Sequence, residues 1–374
     1  MIKTLNREHL EIHNIDDFLA NGYNFRNATI QGIDFTAIQL DWSSLDLHNA
    51  VLLGCNMTTT QLTAAIQSGA LIFPEVEGLP YQKYRSQVYH WKELNEIIDG
   101  KSRDLRIYEH FSNSKYDPSM IESLCQRIHD HAMDDALRDY LLPDSDGDYK
   151  HKCIGIMGGH GTLRTDPYFL KTALVCQQLA ALGYTVVSGG GPGIMEAANL
   201  GAYFANYTAE QLTTVISLLS AHPHYTDAGY HQVAEDALLK YPDGTESLAI
   251  PTWFYGHEPS NLFATHIAKY FSNSIREDTL LAICLHGILF SPGSAGTTQE
   301  IFMDAAQNHY ATFGYYSPMI FMGTERYEEQ TSLFATLTQL SKGTGYESLV
   351  HISDDVDEVV KLFQDNPPIE AGEK

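Results

Sequence analysis

Two glycine-rich turns, far apart in the chain, carry the residues best suited to chemistry. One is Ser188-Gly189-Gly190-Gly191-Pro192-Gly193-Ile194-Met195-Glu196. The other is Ser291-Pro292-Gly293-Ser294-Ala295-Gly296-Thr297-Thr298-Gln299-Glu300. Each follows a strand-like apolar run, residues 184–187 and 285–290, and each leads into a helix-like run. In a parallel α/β sheet such turns share one edge, with free backbone N–H groups and helix N-termini facing outward. Together they form a cradle for a phosphate, and the second ends in a carboxylate, Glu300, that can act on whatever the phosphate anchors.

Several common phosphate and nucleophile motifs are excluded. A dinucleotide fingerprint needs Gly-x-Gly-x-x-Gly. Counted from Gly189 its third glycine falls on Ile194, and counted from Gly191 it falls on Glu196. Neither turn carries the Gly-Lys-Ser or Gly-Lys-Thr of a P-loop. A nucleophile elbow around Ser294 would need glycine where Pro292 stands. What remains is a mononucleotide or sugar-phosphate cradle.

The chain has 374 residues, enough for a large core and two or three structural units. Its 23 Lys and Arg against 47 Asp and Glu leave a formal charge of -24. That argues against a basic face for nucleic acid, so no nucleic-acid partner is expected. An anion site in this field must rest on local N–H donors and a few placed cations. The first ten residues carry no apolar leader, and no run reaches the roughly eighteen apolar residues of a membrane span. The five cysteines are scattered and form no Cys-x-x-Cys. These features predict a cytoplasmic protein with no membrane partner and no metal.

The elements that must position the turns begin at Lys152, where strand and helix patterns alternate. Strands are expected at 153–157, 184–187, 248–253, 285–290 and 319–322, with helices at 167–182, 193–204, 262–271 and 295–309. Residues 213–219 read as either strand or helix. This alternation predicts an α/β fold with a doubly wound parallel sheet over 151–374. Residues 61–150 read as a helical connector, with helical spacing at 81–98 and 118–142. The acidic stretch 143–148 reads as a linker, since it lacks the glycine and glutamate of a calcium loop. Ahead of it, in 1–60, Phe25, Ile30, Phe35, Leu40 and Leu45 recur every five residues, and Leu47, Leu52 and Met57 continue in a shifted phase. This tract resembles a pentapeptide repeat, the alternative being irregular loops and short strands.

The Gly189–Met195 turn resembles the GGGxxGxM turn of the Lonely Guy family, and Pro292–Glu300 resembles its PGGxGTxxE motif. Within that family the chain is most similar to bacterial pyrimidine/purine nucleotide 5′-monophosphate nucleosidases. Those also place Gly-Gly-His after the first strand, here Gly158-Gly159-His160, and His-Gly-Ile before the second turn, here His286-Gly287-Ile288. The resemblance covers residues 150–325 and implies a Rossmann-like fold. It also implies hydrolysis of a nucleoside 5′-monophosphate to free base and ribose 5-phosphate, without a cofactor, in a homodimer or larger homo-oligomer. The alternative is a nucleotide sensor that binds with little or no turnover.

By that resemblance Gly189, Gly190, Gly191, Gly193 and Met195, with Gly293, Ser294, Ala295, Gly296 and Thr297, hold the nucleotide and its phosphate. Gly159, His160 and Asn261 are candidate base or ribose contacts. Glu300 and Arg276 are the catalytic candidates. Glu300, placed in the first turn of its helix, is expected to be an anion under neutral conditions, because the macrodipole favours ionisation there. Such an anion stabilises an oxocarbenium-like sugar. Two departures stand out. Arg276 lies one residue further from the motif than in the nucleosidases, a shift of about 100° on a regular helix, and its alternative is a surface arginine paired with local acids. Ser294 replaces the motif's second glycine, a costly change if the backbone there needs a positive φ. Glu196 reads as a helix N-terminal residue.

Overall fold

The computed structural model describes residues 10–141 and 151–372. The acidic stretch 143–148, read as a linker, lies outside these residues. The chain forms two units, one of residues 10–86 with 120–136, the other of 87–119 with the chain from 137 onward. The sequence boundaries near 60 and 150 do not coincide with these units, because residues of the single helix Met120–Leu141 fall in both.

The smaller unit is a parallel ladder of four short strands, β1 (Glu11–Ile12), β2 (Thr29–Gln31), β3 (Val51–Leu53) and β4 (Leu71–Phe73), in that order. Ile12, Ile30, Leu52 and Ile72 stack in register. The later rungs recur about every twenty residues. The five-residue spacing has a direct outcome: Phe25, Ile30, Phe35, Leu45, Leu47 and Leu52 are all buried in one core. Phe18 lies flat on Phe25, with ring centroids 4.4 Å apart. Helix α1 (Thr59–Gln67) follows, started by a capping box of Thr58 and Gln61. The helix expected over 81–98 does not form. Only Trp91–Leu94 is helical, and Ile97–Ile98 pairs with Lys101–Ser102. Tyr84 donates its hydroxyl proton to the Phe73 and Pro74 carbonyls, which spends it on a neighbouring strand end rather than a helix face.

The larger unit is built on seven strands: β5 (Lys152–Met157), β6 (Tyr184–Ser188), β7 (Leu248–Ala249), β8 (His266–Ile267), β9 (Ile288–Phe290), β10 (Met319–Phe321) and β11 (Val350–Ile352). Their order is β8-β7-β6-β5-β9-β10-β11, and every pairing is parallel. The middle strands are apolar on both faces, as a sheet covered on both sides requires. Helices α3 (Pro167–Ala181), α4 (Ile194–Tyr203) and α7 (Val356–Asp365) share one core with Ile154, Ile156, Val186, Leu289 and Ile320. On the other face, α5 (Asn273–Ile283) ends at Cys284, whose sulfur would lie 3.1 Å from a Cβ at Gly155. The expected doubly wound α/β sheet is therefore present. Residues 262–271, expected as a helix, instead supply the edge strand β8, because their backbone finds sheet partners: Ile267 donates to Tyr89 O and Ala268 to Ala249 O. Residues 213–219, left open as strand or helix, belong to the helix Ala209–Leu219. Among the described residues no helix is long and apolar enough to cross a membrane.

The strand order fixes where a site can form. From β5 the chain adds strands on one side through β6, then crosses to the other side at β9. A crevice opens beyond the carboxyl ends of strands at such a switch point. The turns after β5, β6 and β9 are residues 158–161, 189–193 and 291–294, the segments singled out by their sequence.

Candidate functional site

Backbone hydrogen bonds lock the three turns together. Gly159 N donates to Pro292 O at 3.0 Å, and Ile194 N donates to Gly159 O at 3.1 Å. The fit leaves no room for side chains at two points. A Cβ on Gly193 would lie 2.4 Å from Gly159 O, and the backbone there has φ +69°. A Cβ on Gly293 would lie 2.0 Å from Thr297 Oγ1. Glycine at these positions is demanded by close approach, and at Gly193 by conformation as well.

The first turn is also held from beneath by a buried amide and hydroxyl network. Ser188 Oγ donates to Asn199 Oδ1 at 2.6 Å and accepts from Gly190 N at 3.0 Å. Asn261 Nδ2 donates to Gly191 O at 3.3 Å and to Asn199 Oδ1 at 3.0 Å, while Asn261 Oδ1 accepts from Ala264 N. Asn261 is 3% exposed. Its amide is spent on the turn's own backbone, so it shapes the crevice from below rather than lining a base pocket.

Arg276 and Glu300 come together. Arg276 lies on α5, buried at 8% exposure, and is not a surface arginine. Its Nε donates to Ile250 O at 2.7 Å, its Nη1 pairs with Glu277 Oε1 at 2.6 Å, and the same Nη1 is 3.9 Å from Glu300 Oε1. Its Nη2 would lie 2.5 Å from a Cβ on Gly189, so the guanidinium rests on the first glycine turn. The extra residue before the motif does not turn Arg276 away.

Glu300 differs from its sequence expectation. Helix α6 spans Ala295–Tyr310, which puts Glu300 in the second turn, beyond the short reach of the macrodipole. It is 8% exposed. Burial pushes its carboxyl up to about 8, with Arg276 opposing and Glu277 reinforcing. The carboxyl of the free site is therefore drawn toward its neutral form, against the anion expected. One turn on, buried Asp304 is also pushed up to about 8 by desolvation.

The second turn presents donors to solvent. Ser294 has φ -112°, so the positive φ that would make serine costly there is absent. Ser294, Ala295 and Gly296 are exposed at the start of α6, whereas Thr297 is buried with its hydroxyl over Gly293. His160 is exposed and makes no hydrogen bond among the described residues. Its backbone packs against Gly193, and its ring is free to meet a ligand.

Beside the first turn the crevice widens into a cleft lined by Gly189, Gly191, Met195, Tyr255, Glu258 and Arg276, among others. Met195 lies across Gly189 and Gly191, where Cβ atoms would meet its sulfur and methyl at 2.6 and 2.7 Å. The rim, residues 252–260, is anchored through Asp104 of helix α2 (Arg103–Ser114). Asp104 accepts from Trp253 Nε1 at 2.7 Å and pairs with Lys269 Nζ at 2.8 Å. Asp104, Lys269, Tyr255, Glu258 and Glu277 went unread in the sequence. Glu277 and Glu258 adjoin residues singled out there, whereas nothing local links Asp104 to Lys269. The cleft acids Glu258, Glu277 and Glu300 do not form a set close enough to hold a metal ion.

Glu196, read as a helix N-terminal residue, does lie in the first turn of α4, but it is buried against Arg164 rather than facing the cleft.

No family profile matches the chain, and no curated relative does. Among solved structures the chain is similar to the Moco carrier protein from Chlamydomonas reinhardtii, at 16% identity over 58% of this chain and 99% of that one, with a TM-score of 0.35. It is also similar to the molybdenum cofactor binding protein from the phototrophic bacterium Rippkaea orientalis, at 17% identity over 57% of this chain and 96% of that one, with a TM-score of 0.34. Likenesses this loose carry no functional argument.

Proposed function

We propose that the protein is a nucleosidase of the Lonely Guy type, cleaving the N-glycosidic bond of nucleoside 5′-monophosphates. The observation that carries this reading is the approach of Arg276 to Glu300, 3.9 Å apart, in the crevice where the glycine turns meet. The exposed N–H groups at the start of α6 would take the 5′-phosphate. Arg276, already seated on Gly189, would hold the sugar end and the Glu300 carboxylate in place. Water adds its oxygen to C1′ of the ribose, the bond to the base nitrogen breaks, and the base leaves with its electron pair and a proton. Glu300 in its ionised form accepts that proton from the attacking water, passes it to the departing base and so ends ionised again, while its charge stabilises the positive sugar. No cofactor is needed for this chemistry. By the same family resemblance we expect a homodimer or larger homo-oligomer.

A second reading, binding with little turnover, is favoured by the pull of Glu300 toward its neutral form in the free site. A panel of nucleoside 5′-monophosphates, with matched nucleosides as controls, separates the two. Release of free base from the monophosphates only supports the nucleosidase. A raised melting temperature without release supports the sensor. Neither effect overturns both.

A further inference from the structure

We infer that Glu258 reads the base, and that the cleft selects nucleobases carrying an exocyclic amino group. This rests on the nucleosidase reading above and names its substrate class. The argument begins with a carboxylate that has no structural employment. Of the other acids near the crevice, Glu196 is engaged by Arg164 and Tyr230, Asp104 by Lys269 and Trp253, and Glu277 through one oxygen by Arg276, while Glu300 faces Arg276 at 3.9 Å. Glu258 is half-buried and lines the cleft, yet it makes no hydrogen bond or ion pair among the described residues.

Its position fits the far end of a nucleotide. Arg276, beside Glu300, rests on Gly189, and the Oε2 of Glu258 rests on Gly191, where it would lie 3.0 Å from a Cβ. Two residues of extended chain separate such points by about 7 Å at most. Met195 lies across both glycines and fills the space between. The sequence of groups along the cleft is therefore Glu300, Arg276, Met195, Glu258. With the sugar at Glu300, a planar base would extend over Met195 toward Glu258. Tyr255 stands at the same rim, 67% exposed, its hydroxyl accepting a hydrogen bond from Asn273 at 3.1 Å. An exposed aromatic ring with a fixed hydroxyl is a stacking platform for a base.

The chemistry of Glu258 decides which bases fit. An ionised carboxylate only accepts hydrogen bonds. It accepts from the exocyclic amino group of cytosine or guanine, repels the carbonyl that uracil sets in cytosine's place, and finds no donor where hypoxanthine has only a C–H. A phosphate is unwelcome beside it, so the first glycine turn serves the base end and the start of α6 serves the phosphate. An amide at this position can donate as well as accept and would relax the choice.

The test compares 5′-monophosphates that differ at the amino group: cytidine against uridine, and guanosine against inosine. In the wild-type protein kcat/KM for base release should favour the amino member of at least one pair by about tenfold or more. Glu258→Gln should cut that preference by at least about fivefold, and Glu258→Ala should remove it without reversing it. Melting temperatures check that both variants fold. A wild type indifferent to both pairs, or a preference that survives both substitutions, overturns this inference while leaving the nucleosidase standing. If no base is released but monophosphates bind, the nucleosidase fails, and the same ratios read in Kd by calorimetry decide on Glu258. If no monophosphate binds, both fall.

Discussion

Two buried arginine–glutamate pairs stand near the carboxyl edge of the same sheet, and they are built for opposite purposes. Arg164 meets Glu196 in a two-pronged pair, Nε to Oε2 at 2.9 Å and Nη2 to Oε1 at 2.5 Å. Glu196 also accepts from the Tyr230 hydroxyl at 2.6 Å, and Arg164 Nη1 donates to three carbonyls, those of Leu219, His222 and Tyr230. The guanidinium lies 3.5 Å over the Tyr230 ring. Among the described residues the donors of Arg164 and the acceptors of Glu196 find protein partners. Around Arg276 the matching is incomplete. Glu300 stays at 3.9 Å, and Oε2 of Glu277 is buried without a partner among the described residues. A saturated pair holds a fold together, and an unsaturated one waits for something to bind. Each motif contributes one glutamate to this contrast, Glu196 from the first and Glu300 from the second, and their surroundings alone decide their roles.

The largest effect expected is on the saturated pair. Arg164→Ala leaves Glu196 as a buried charge with only Tyr230 beside it. Breaking a buried pair from one side costs about 3–5 kcal/mol. Denaturant unfolding of the variant should show that loss in full, or the chain should fail to accumulate as folded protein. A loss under about 1 kcal/mol would mean that Arg164 is replaceable by water. On the unsaturated side, Glu300→Gln should lower base release by about 10²–10³-fold, the usual price of one transition-state group. Nucleotide affinity and melting temperature at neutral pH should hardly move, because burial already draws the carboxyl toward its neutral form. Parallel loss of stability would make Glu300 a second Glu196.

The next effect is on pH dependence. Glu300 works as a carboxylate in the proposed mechanism, and burial holds its carboxyl up to about 8 in the free protein. The value of kcat/KM, which reports the free enzyme, should rise about tenfold per pH unit below that value and level off above it. A profile already flat from pH 6 upward would show that a cation draws the group down in the free protein, or that another residue takes the proton.

How much of this was legible in the sequence follows from the range of the interactions. Strands β5, β6, β7, β9 and β10 and the turns after β5, β6 and β9 were readable, because glycine, apolar runs and helix starts are local signals, whereas β11 was not read at all. The apolar positions of the N-terminal tract were a local signal too, and Phe25, Ile30 and Phe35 are buried. Residues 262–271 misled because apolar and aromatic residues suit a helix face or an edge strand equally, and only the distant partners Tyr89 and Ala249 decide between them. The ionisation of Glu300 was misjudged because position in a helix is local, whereas burial is set by Arg276, Glu277 and the packing around them. Asn261 was found for a reason that did not hold: its neighbours in sequence point to a pocket, but its amide is consumed by Gly191 and Asn199. Asp104 and Lys269 meet across 165 positions, and nothing near either residue announces the other.

The smallest effect separates burial from chemistry on a single helix. Asp304 lies one turn after Glu300 on α6, is equally buried, and has Oδ2 without a partner among the described residues. Burial pushes its carboxyl from the ordinary 3.8 up to about 8. A carboxyl whose folded value is raised favours the folded state when protonated. Its contribution is whole below pH 3.8, where both states carry the proton, and is lost as pH rises toward about 8, since the unfolded chain releases the proton first. Asp304→Asn removes that dependence while keeping the volume, at a small constant cost for the new amide hydrogens. The melting temperature of the variant relative to wild type should therefore climb with pH, from no gain near pH 4 to a few degrees near pH 9, with base release retained. An unchanging difference across that range would mean that Asp304 ionises freely, and that the inner face of α6 is wet. In that case the acid of Glu300, on the same face, would owe its protonation to Glu277 and not to burial.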